Sequence, residues 1–287
     1  MNIKMNKDGS EIISYDEPGI PIYIRKGLLS AYPNYRAFCH WHEDMEVIYI
    51  IDGTMEYYVN GKYLNLTKGD ALIVNSERLH YGYSSVMSEC HFYCYLFHPT
   101  LITTNKKLSQ KYITPVTQTN QTDYWLFHND ELINNTLNAI YSKKTNPSSS
   151  YELEVIGLFH TLWNCLFQHS STRQDNDASS DAELIAQRKM VSFIYQNFSN
   201  VLSLDCIAAS GNVCRSKCCQ IFKRHMGQSP MDFVNAYRLE CSKQLLENTT
   251  FRITEICTSC GFNHLSYFSK QFQLKYGCSP REYRKRN

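Results

Sequence analysis

Five residues near the C-terminus recur at a fixed offset of fifty: Phe222, Gly227, Ser229, Pro230 and Phe233 are echoed by Phe272, Gly277, Ser279, Pro280 and Tyr283. A chain with this repeat is constrained to build one small unit twice. In each copy, Ser followed by Pro supplies an N-cap and a first helical position, and Gly two residues earlier supplies a helix stop. Ser279 and Glu282 add the Ser-x-x-Glu spacing in which two side chains satisfy orphan backbone donors reciprocally. Paired short helices with basic residues on the second read as tandem DNA-binding modules.

The charge distribution points the same way. From Leu184 onward there are 15 lysines and arginines against 6 acidic residues, a balance of +9, while the remainder carries −7. A basic end beside an acidic remainder implies a polyanion partner for one end only. With 287 residues the expectation is two domains, each large enough to bury its own core. No apolar run approaches 18 residues and no cationic, apolar leader opens the chain, so a cytosolic protein without a membrane partner is expected. On that reading the 12 cysteines are reduced thiols, mostly acting as small apolar fillers.

From Ile22 to about Phe97 the pattern is that of short strands. Val47 to Ile51 is an apolar run ended by Asp52-Gly53, and residues 54 to 59 lead into Asn60-Gly61, the strongest short hairpin signal. Lys62 to Leu66, Ala71 to Val74 and Cys90 to Phe97 continue the series, with Lys68-Gly69 as a turn. Many short strands at such spacing predict a barrel or sandwich over 1–118. Over 119–169 the periodicity turns helical, with Trp125, Leu126, Leu132, Ile133, Leu137 and Ile140 in one set and Leu153, Ile156, Leu162 and Leu166 in another. These helices either cover their own barrel or pair two subunits into a homodimer, and the segment is assigned to dimerisation. Residues 170–182, almost devoid of apolar side chains, read as a linker. Helices follow at about 184–197, 203–209, 214–226, 230–247, 253–259 and 264–276, with a short one after Pro280.

Within 183–287, Phe222-Lys223, Gly227, Ser229-Pro230, Tyr237-Arg238-Leu239, Leu245-Leu246, Glu255-Ile256, Gly261-Phe262, Ser266-Tyr267-Phe268-Ser269, Phe272, Gly277, Ser279-Pro280 and Tyr283-Arg284 closely resemble the AraC/XylS family of bacterial transcription regulators. The resemblance implies a seven-helix domain with two helix-turn-helix motifs joined by a long helix. Independently, a linking helix of about 18 residues spans roughly 27 Å, enough to hold two recognition helices in neighbouring major-groove segments. In the first, Cys218 and Phe222 face inward and Arg215, Ser216, Cys219, Gln220 and Lys223 remain outside; in the second, Phe268 and Phe272 face inward and His264, Ser266, Ser269, Lys270 and Gln271 lie nearer the groove. Lysine and arginine would contact phosphates, and Gln220, His264 and Lys270 base edges. Cys214, Cys218, Cys219 and Cys257 depart from the family pattern. Together with Cys260 they raise zinc or thiol-switch readings, to which burial of small side chains is preferred.

The strand region contains His40-Trp41-His42, Glu46, Gly53, Gly69-Asp70 and His80, similar to the two-part cupin signature. The first part is complete. The second has Asn75 and Glu77 in place of the usual Pro and Gly, and Ser84 where Asn is common. His40 and His42 share one face of an extended segment because side chains alternate with period two, and Glu46 and His80 complete a set of three nitrogens and one oxygen for a divalent transition metal. An organic effector held by His40, His42, Glu46, His80, Trp41 and Tyr57 in a metal-free pocket is preferred to a metal, and no cofactor is required. Sugars are one candidate class, and the aromatics Tyr49, Tyr58, Tyr81 and Tyr83 are read mainly as barrel filling.

The fold class expected is therefore multidomain α and β: a cupin-like β-barrel with flanking helices, then an all-α domain with two helix-turn-helix motifs. The function expected is a one-component, non-enzymatic regulator binding double-stranded promoter DNA and a small-molecule effector as a homodimer, with RNA polymerase a further partner if it activates. The rivals are a metal-dependent cupin enzyme carried by His40, His42, Glu46 and His80, and a DNA-binding protein whose barrel only dimerises.

Overall fold

The computed structural model describes residues 6, 10–117, 122–170 and 179–286. They form two compact units, the first up to Asp181 and the second from Ala182 onward.

Among the described residues, the first unit contains seven antiparallel strands: β1 (Ile22–Leu28), β2 (Met45–Val59), β3 (Lys62–Thr67), β4 (Asp70–Val74), β5 (His80–Tyr83), β6 (Cys90–Phe97) and β7 (Tyr124–His128). Their order is β1-β6-β2-β4-β7, with β3 and β5 both paired to β2. The expected stop at Asp52-Gly53 does not occur. β2 runs through it, pairing β4 and β6 before Gly53 and β3 and β5 after it, with the register shifting between Ile50 and Asp52. A bulge of this kind bends a strand without ending it. Gly53 is required there: its φ is 81°, and a Cβ would lie 2.3 Å from the carbonyl oxygen of Glu89. Asn60-Gly61 does turn the chain, both residues at positive φ as a two-residue hairpin demands.

A second correction concerns Trp125 and Leu126, which lie in strand β7 and not in a helix. Tyr124–His128 pairs with β4 from Val74↔Tyr124 to Asp70↔His128, giving the sheet its last strand. A five-residue apolar run has no period of its own that could distinguish the two states.

Helices α1 (Lys106–Leu108) and α2 (Thr114–Thr117) flank a π-helical turn, and α3 (Glu131–Thr145) and α4 (Tyr151–Ser170) follow. Leu137, Ile140, Phe159, Leu162, Trp163 and Leu166 join Ile22, Met45, Val47 and Phe97 in one buried cluster. Thus α3 and α4 cover one face of their own barrel. A second cluster fills the space between the sheets with Leu29, Ile50, Met55, Val59, Leu66 and Phe92. Of the expected linker 170–182, residues 171–178 lie outside the described residues. Its last part is helical, because α5 spans Ser179–Asn197. Composition alone does not separate a polar first turn from a loop.

The second unit is built by α5 with α6 (Leu204–Ser210), α7 (Arg215–Met226), α8 (Pro230–Asn248), α9 (Ile253–Ser259), α10 (Leu265–Tyr276) and α11 (Pro280–Arg286). The repeat is realised at its punctuation. Gly227 and Gly277 end α7 and α10 in the left-handed conformation, with φ of 66° and 73°. Ser229 and Ser279 Oγ accept the backbone N–H three residues on, each at 3.2 Å, and Glu282 accepts the N–H of Ser279 at 2.8 Å. The aromatic pairs also repeat: Phe222 meets Phe233 and Phe272 meets Tyr283, both with ring centroids 5.6 Å apart.

Candidate functional site

Residues 37–42 and 77–84 run antiparallel although the first segment is too irregular to count as a strand. His40 and His80 exchange both backbone hydrogen bonds, at 3.2 and 2.9 Å, and Glu77 N–H donates to His42 at 2.7 Å. This ladder puts His40 opposite His80, and period two adds His42 to the same side. Glu46 comes from the buried start of β2. Glu77, in the place where the cupin pattern has glycine, adopts φ of 61°, the left-handed conformation that glycine favours. Asn75, in the place of proline, instead donates to the carbonyls of Val116 and Thr122 at 2.9 and 2.8 Å.

All four predicted ligands are buried, and their donor atoms lie within 4.8 Å of one another. His42 Nε2 and His80 Nε2 each stand 3.3 Å from Glu46 Oε2, and the Tyr57 hydroxyl donates to Glu46 Oε1. Each imidazole is fixed from behind. Nδ1 of His40, His42 and His80 donates to the backbone carbonyls of Phe38, Asp44 and Arg78 at 2.7, 3.0 and 2.7 Å. A carbonyl only accepts, so Nδ1 carries hydrogen in all three rings and Nε2 of a neutral ring presents its lone pair.

The electrostatics follow from burial and these partners. Burial and the neighbouring His80 push His40 down to about 3, so it stays neutral. For His42, burial opposes protonation, but the hydrogen bond and charge of Glu46 outweigh it and raise the pKa. Burial likewise works against ionisation of Glu46, yet the imidazoles around it hold its carboxyl well below the usual range. Burial pushes the Tyr57 phenol and the Cys94 thiol well up, so both stay neutral.

Beside the cluster lies a cavity of about 80 Å³, lined by His40, Glu46 and Tyr57 together with Glu11, Tyr23, Tyr32, Cys94 and apolar side chains. Trp41 is not in its lining, because alternation turns it away from His40 and His42. Tyr49, Tyr58, Tyr81 and Tyr83 are absent from the lining as well. Glu11, Tyr32 and Cys94 were not singled out in the sequence. Glu11 arrives through a bridge between Ser10 and Trp41 and sets Oε2 3.4 Å from His40 Nε2. Burial raises its carboxyl to about 7. Such long-range placement leaves no local signal.

In the second unit, Cys218, Phe222, Phe268 and Phe272 are fully buried, as the spacing demands. Arg215, Ser216, Gln220 and Lys223 on α7, and His264, Ser266 and Lys270 at the start and outer side of α10, are exposed. Cys219, Ser269 and Gln271 are half-buried, at the flanks of the exposed faces of the same helices. Arg215 is held by both oxygens of Asp205. Glu183 on α5 takes Lys217 and, at 2.9 Å, Arg224. Periodicity missed Leu265, Tyr267 and Leu274, which are exposed on α10. Cys257 and Cys260 are buried fillers, but Cys214 is exposed as the residue before α7, which corrects its reading as a buried side chain.

Comparison with known proteins agrees with this division. The AraC-like ligand binding domain model matches residues 27–186, and a helix-turn-helix domain model matches 207–286. An uncharacterised HTH-type transcriptional regulator, YdeC, of Bacillus subtilis (strain 168) is 26% identical over 292 residues, covering 100% of this chain and 99% of its own. The melibiose operon regulatory protein of Escherichia coli (strain K12) is 23% identical over 268 residues, with 88% and 85% coverage. Among solved structures, ToxT from Vibrio cholerae O395 aligns over 92% of this chain and 97% of its own at 14% identity, with a TM-score of 0.45. No described helix is long and apolar enough to cross a membrane.

Proposed function

The chain belongs to the AraC-type family of transcription regulators, with a ligand-binding domain and a helix-turn-helix DNA-binding domain, and from that premise we propose which of its residues do the work. The outer faces of α7 and α10 enter neighbouring major-groove segments of promoter DNA. Arg215, Lys223 and Lys270 meet phosphates there, and Gln220, His264 and Ser266 meet base edges. The observation that carries this is the doubled scaffold: two helices anchored by equivalent aromatic pairs and stopped by equivalent glycines, on either side of the 19-residue α8. That helix is roughly 28 Å long, comparable with the spacing of about 34 Å between successive groove faces.

The barrel cavity takes a small-molecule effector between Glu46, His40, Tyr57, Tyr32 and Glu11. Its size is well below the roughly 300–1,000 Å³ of a drug-sized pocket, so the ligand is compact and polar. A relative named for the melibiose operon keeps sugars as a candidate class, and the cavity of about 80 Å³ would have to widen to admit one. The protein works in the cytoplasm as a homodimer, without catalysis, and the effector alters which half-sites the two copies span.

Binding of the full-length protein to promoter-length duplex DNA, followed by fluorescence anisotropy across a sodium chloride series, tests the reading. Log affinity is expected to fall linearly with log salt, with a slope of about −0.9 per neutralised phosphate. The double variant Lys223→Ala, Lys270→Ala is expected to flatten that slope by about two. Binding that ignored salt, or that was unchanged in the double variant, would overturn the assignment.

A further inference from the structure

We infer that α10 reads thymine methyl groups in the major groove through Leu265, Tyr267 and Leu274, so that the two helix-turn-helix motifs recognise half-sites of different chemistry, the second one rich in A·T pairs. The inference rests on the DNA-binding reading above and deepens it.

The observation that carries it is how the repeat diverges. Helices α7 and α10 are each 12 residues long, begin at Arg215 and Leu265 and stop at Gly227 and Gly277, so the offset of fifty holds along their whole length. Their inward residues match, Phe222 and Phe272 both being fully buried. Their outward residues do not. Arg215, Lys217 and Arg224 stand in α7 where Leu265, Tyr267 and Leu274 stand in α10. These three side chains are 42%, 45% and 71% exposed, whereas α7 exposes no large apolar side chain. A single exposed leucine is ordinary on a protein surface. Here three apolar residues replace three cations at equivalent places on the face assigned to DNA.

Their placement suits a groove. Tyr267, Lys270 and Leu274 follow one another at spacings of three and four and are neighbours on one side of α10. Tyr267 and Leu274 are about 10 Å apart along the axis, the rise of about three base pairs. Leu265 lies in the first turn, the part of a recognition helix that meets base edges. Asn235 on α8 donates to the Tyr267 hydroxyl at 3.2 Å and so holds the ring in position.

The major groove presents an apolar group only at thymine, whose C5 methyl projects into it. Packing leucine or tyrosine against that methyl removes apolar surface from water on both sides, whereas packing them on a G·C edge would strip water from donors and acceptors without replacing it. Guanine is best met by an arginine fork, and α10 has no arginine. Its Lys275 is turned to the protein, donating to the Ala236 carbonyl at 3.1 Å and pairing with Glu240 at 2.6 Å. Lys270 is exposed beside the apolar row and supplies the phosphate contact that anchors such a face. A cationic first helix and an apolar second one also give the unit a fixed direction on its site, since the reversed placement sets each face against the wrong half.

The test uses full-length protein and a duplex that it selects from a random pool, with affinity measured by fluorescence anisotropy at fixed salt. Each thymine is replaced in turn by deoxyuridine, which removes only the methyl group. Expected is a cluster of thymines, confined to one of the two groove segments that each DNA-binding unit covers, where the replacement weakens binding about fourfold per methyl. In Leu265→Ser, Tyr267→Ser and Leu274→Ser, each checked for folding by far-UV circular dichroism, the penalty at the matching thymine is expected to vanish while the salt slope stays that of the parent. Lys223→Ala, on α7, is expected to weaken binding to thymine and deoxyuridine duplexes by the same factor. Indifference of the parent to deoxyuridine at every position, or serine variants that keep the full penalty, would overturn the thymine reading. Sensitive thymines spread evenly over both segments would overturn the difference between the motifs. In each of these cases salt-dependent binding that persists leaves the DNA-binding assignment standing, and its loss in the parent would overturn both.

Discussion

In the barrel, the polar side chains with chemical potential are inside: His40, His42, His80 and Glu46 are buried, and Tyr57 closes their network. In the helical unit they are outside, where Gln220, Lys223, His264 and Lys270 are exposed while aromatic residues hold the helices from within. The same kinds of residue therefore carry different obligations. A buried polar group must be partnered or the fold loses stability, so stability and site are inseparable in the barrel. An exposed one is free to be exchanged, so reading of DNA can change while the scaffold stays.

The largest effect that bears on this contrast is expected from Phe272→Ala. It removes the ring that meets Phe268, Tyr276 and Tyr283 and should cost the second unit about 3–5 kcal/mol in denaturant unfolding. A loss below about 1 kcal/mol would mean that α10 is not held by its aromatic core.

Next in size is Tyr57→Phe, which strips the donor from buried Glu46 Oε1. Unfolding of the first unit should be easier by about 1–3 kcal/mol. The matching exposed change, Lys223→Ala, should move stability by no more than about 0.5 kcal/mol while lowering DNA affinity. If the two substitutions cost the same stability, the inside–outside contrast fails.

A smaller effect concerns pH. The hydrogen bond from Lys217, aided by His225 and Arg224, holds the Glu183 carboxyl below its usual value of 4.5. A depressed pKa contributes stability that is present above the unfolded value and is lost as pH falls through the folded one. Thermal melts of the second unit should therefore decline more steeply below about pH 4.5 in the parent than in Glu183→Gln. Because the partners Lys217 and Arg224 are themselves exposed, at 38% and 55% of their side chains, the difference should be slight, and parallel curves would remove Glu183 from the argument.

The smallest perturbation is chemical. Cys214 is exposed, and its hydrogen bond with Ser216 lowers the thiol, whereas burial raises Cys218 to about 11 and Cys260 to about 12. Brief alkylation followed by mass spectrometry should mark Cys214 well before either of the others. Equal labelling would show that the second unit opens readily. Unaltered DNA affinity after labelling of Cys214 would dispose of a thiol switch there.

Much of the helical unit was legible from residues alone. Ser229-Pro230 and Ser279-Pro280 start helices and Gly227 and Gly277 stop them because capping is a matter of a few consecutive residues. Cys218, Phe222, Phe268 and Phe272 fell inward because helical periodicity is equally local. The boundaries that failed were those where local chemistry is ambiguous. Asp52-Gly53 has the composition of a turn but serves as a bulge within β2, and Trp125-Leu126 became a strand because β4 offered it an edge.

The sequence by itself determined the paired helical motifs, the separation of a strand-rich from a helical part, and the candidates His40, His42 and Glu46, since each is written in short-range spacing, with His80 added by the likeness to the two-part cupin signature. Only the tertiary structure decided that those four meet, that Glu11, Tyr32 and Cys94 wall the cavity with them, that Trp41 does not, and that Arg215, Lys217 and Arg224 are bound by Asp205 and Glu183. Pairings between residues 10 or more positions apart are chosen by packing and strand register, and no local spacing encodes them.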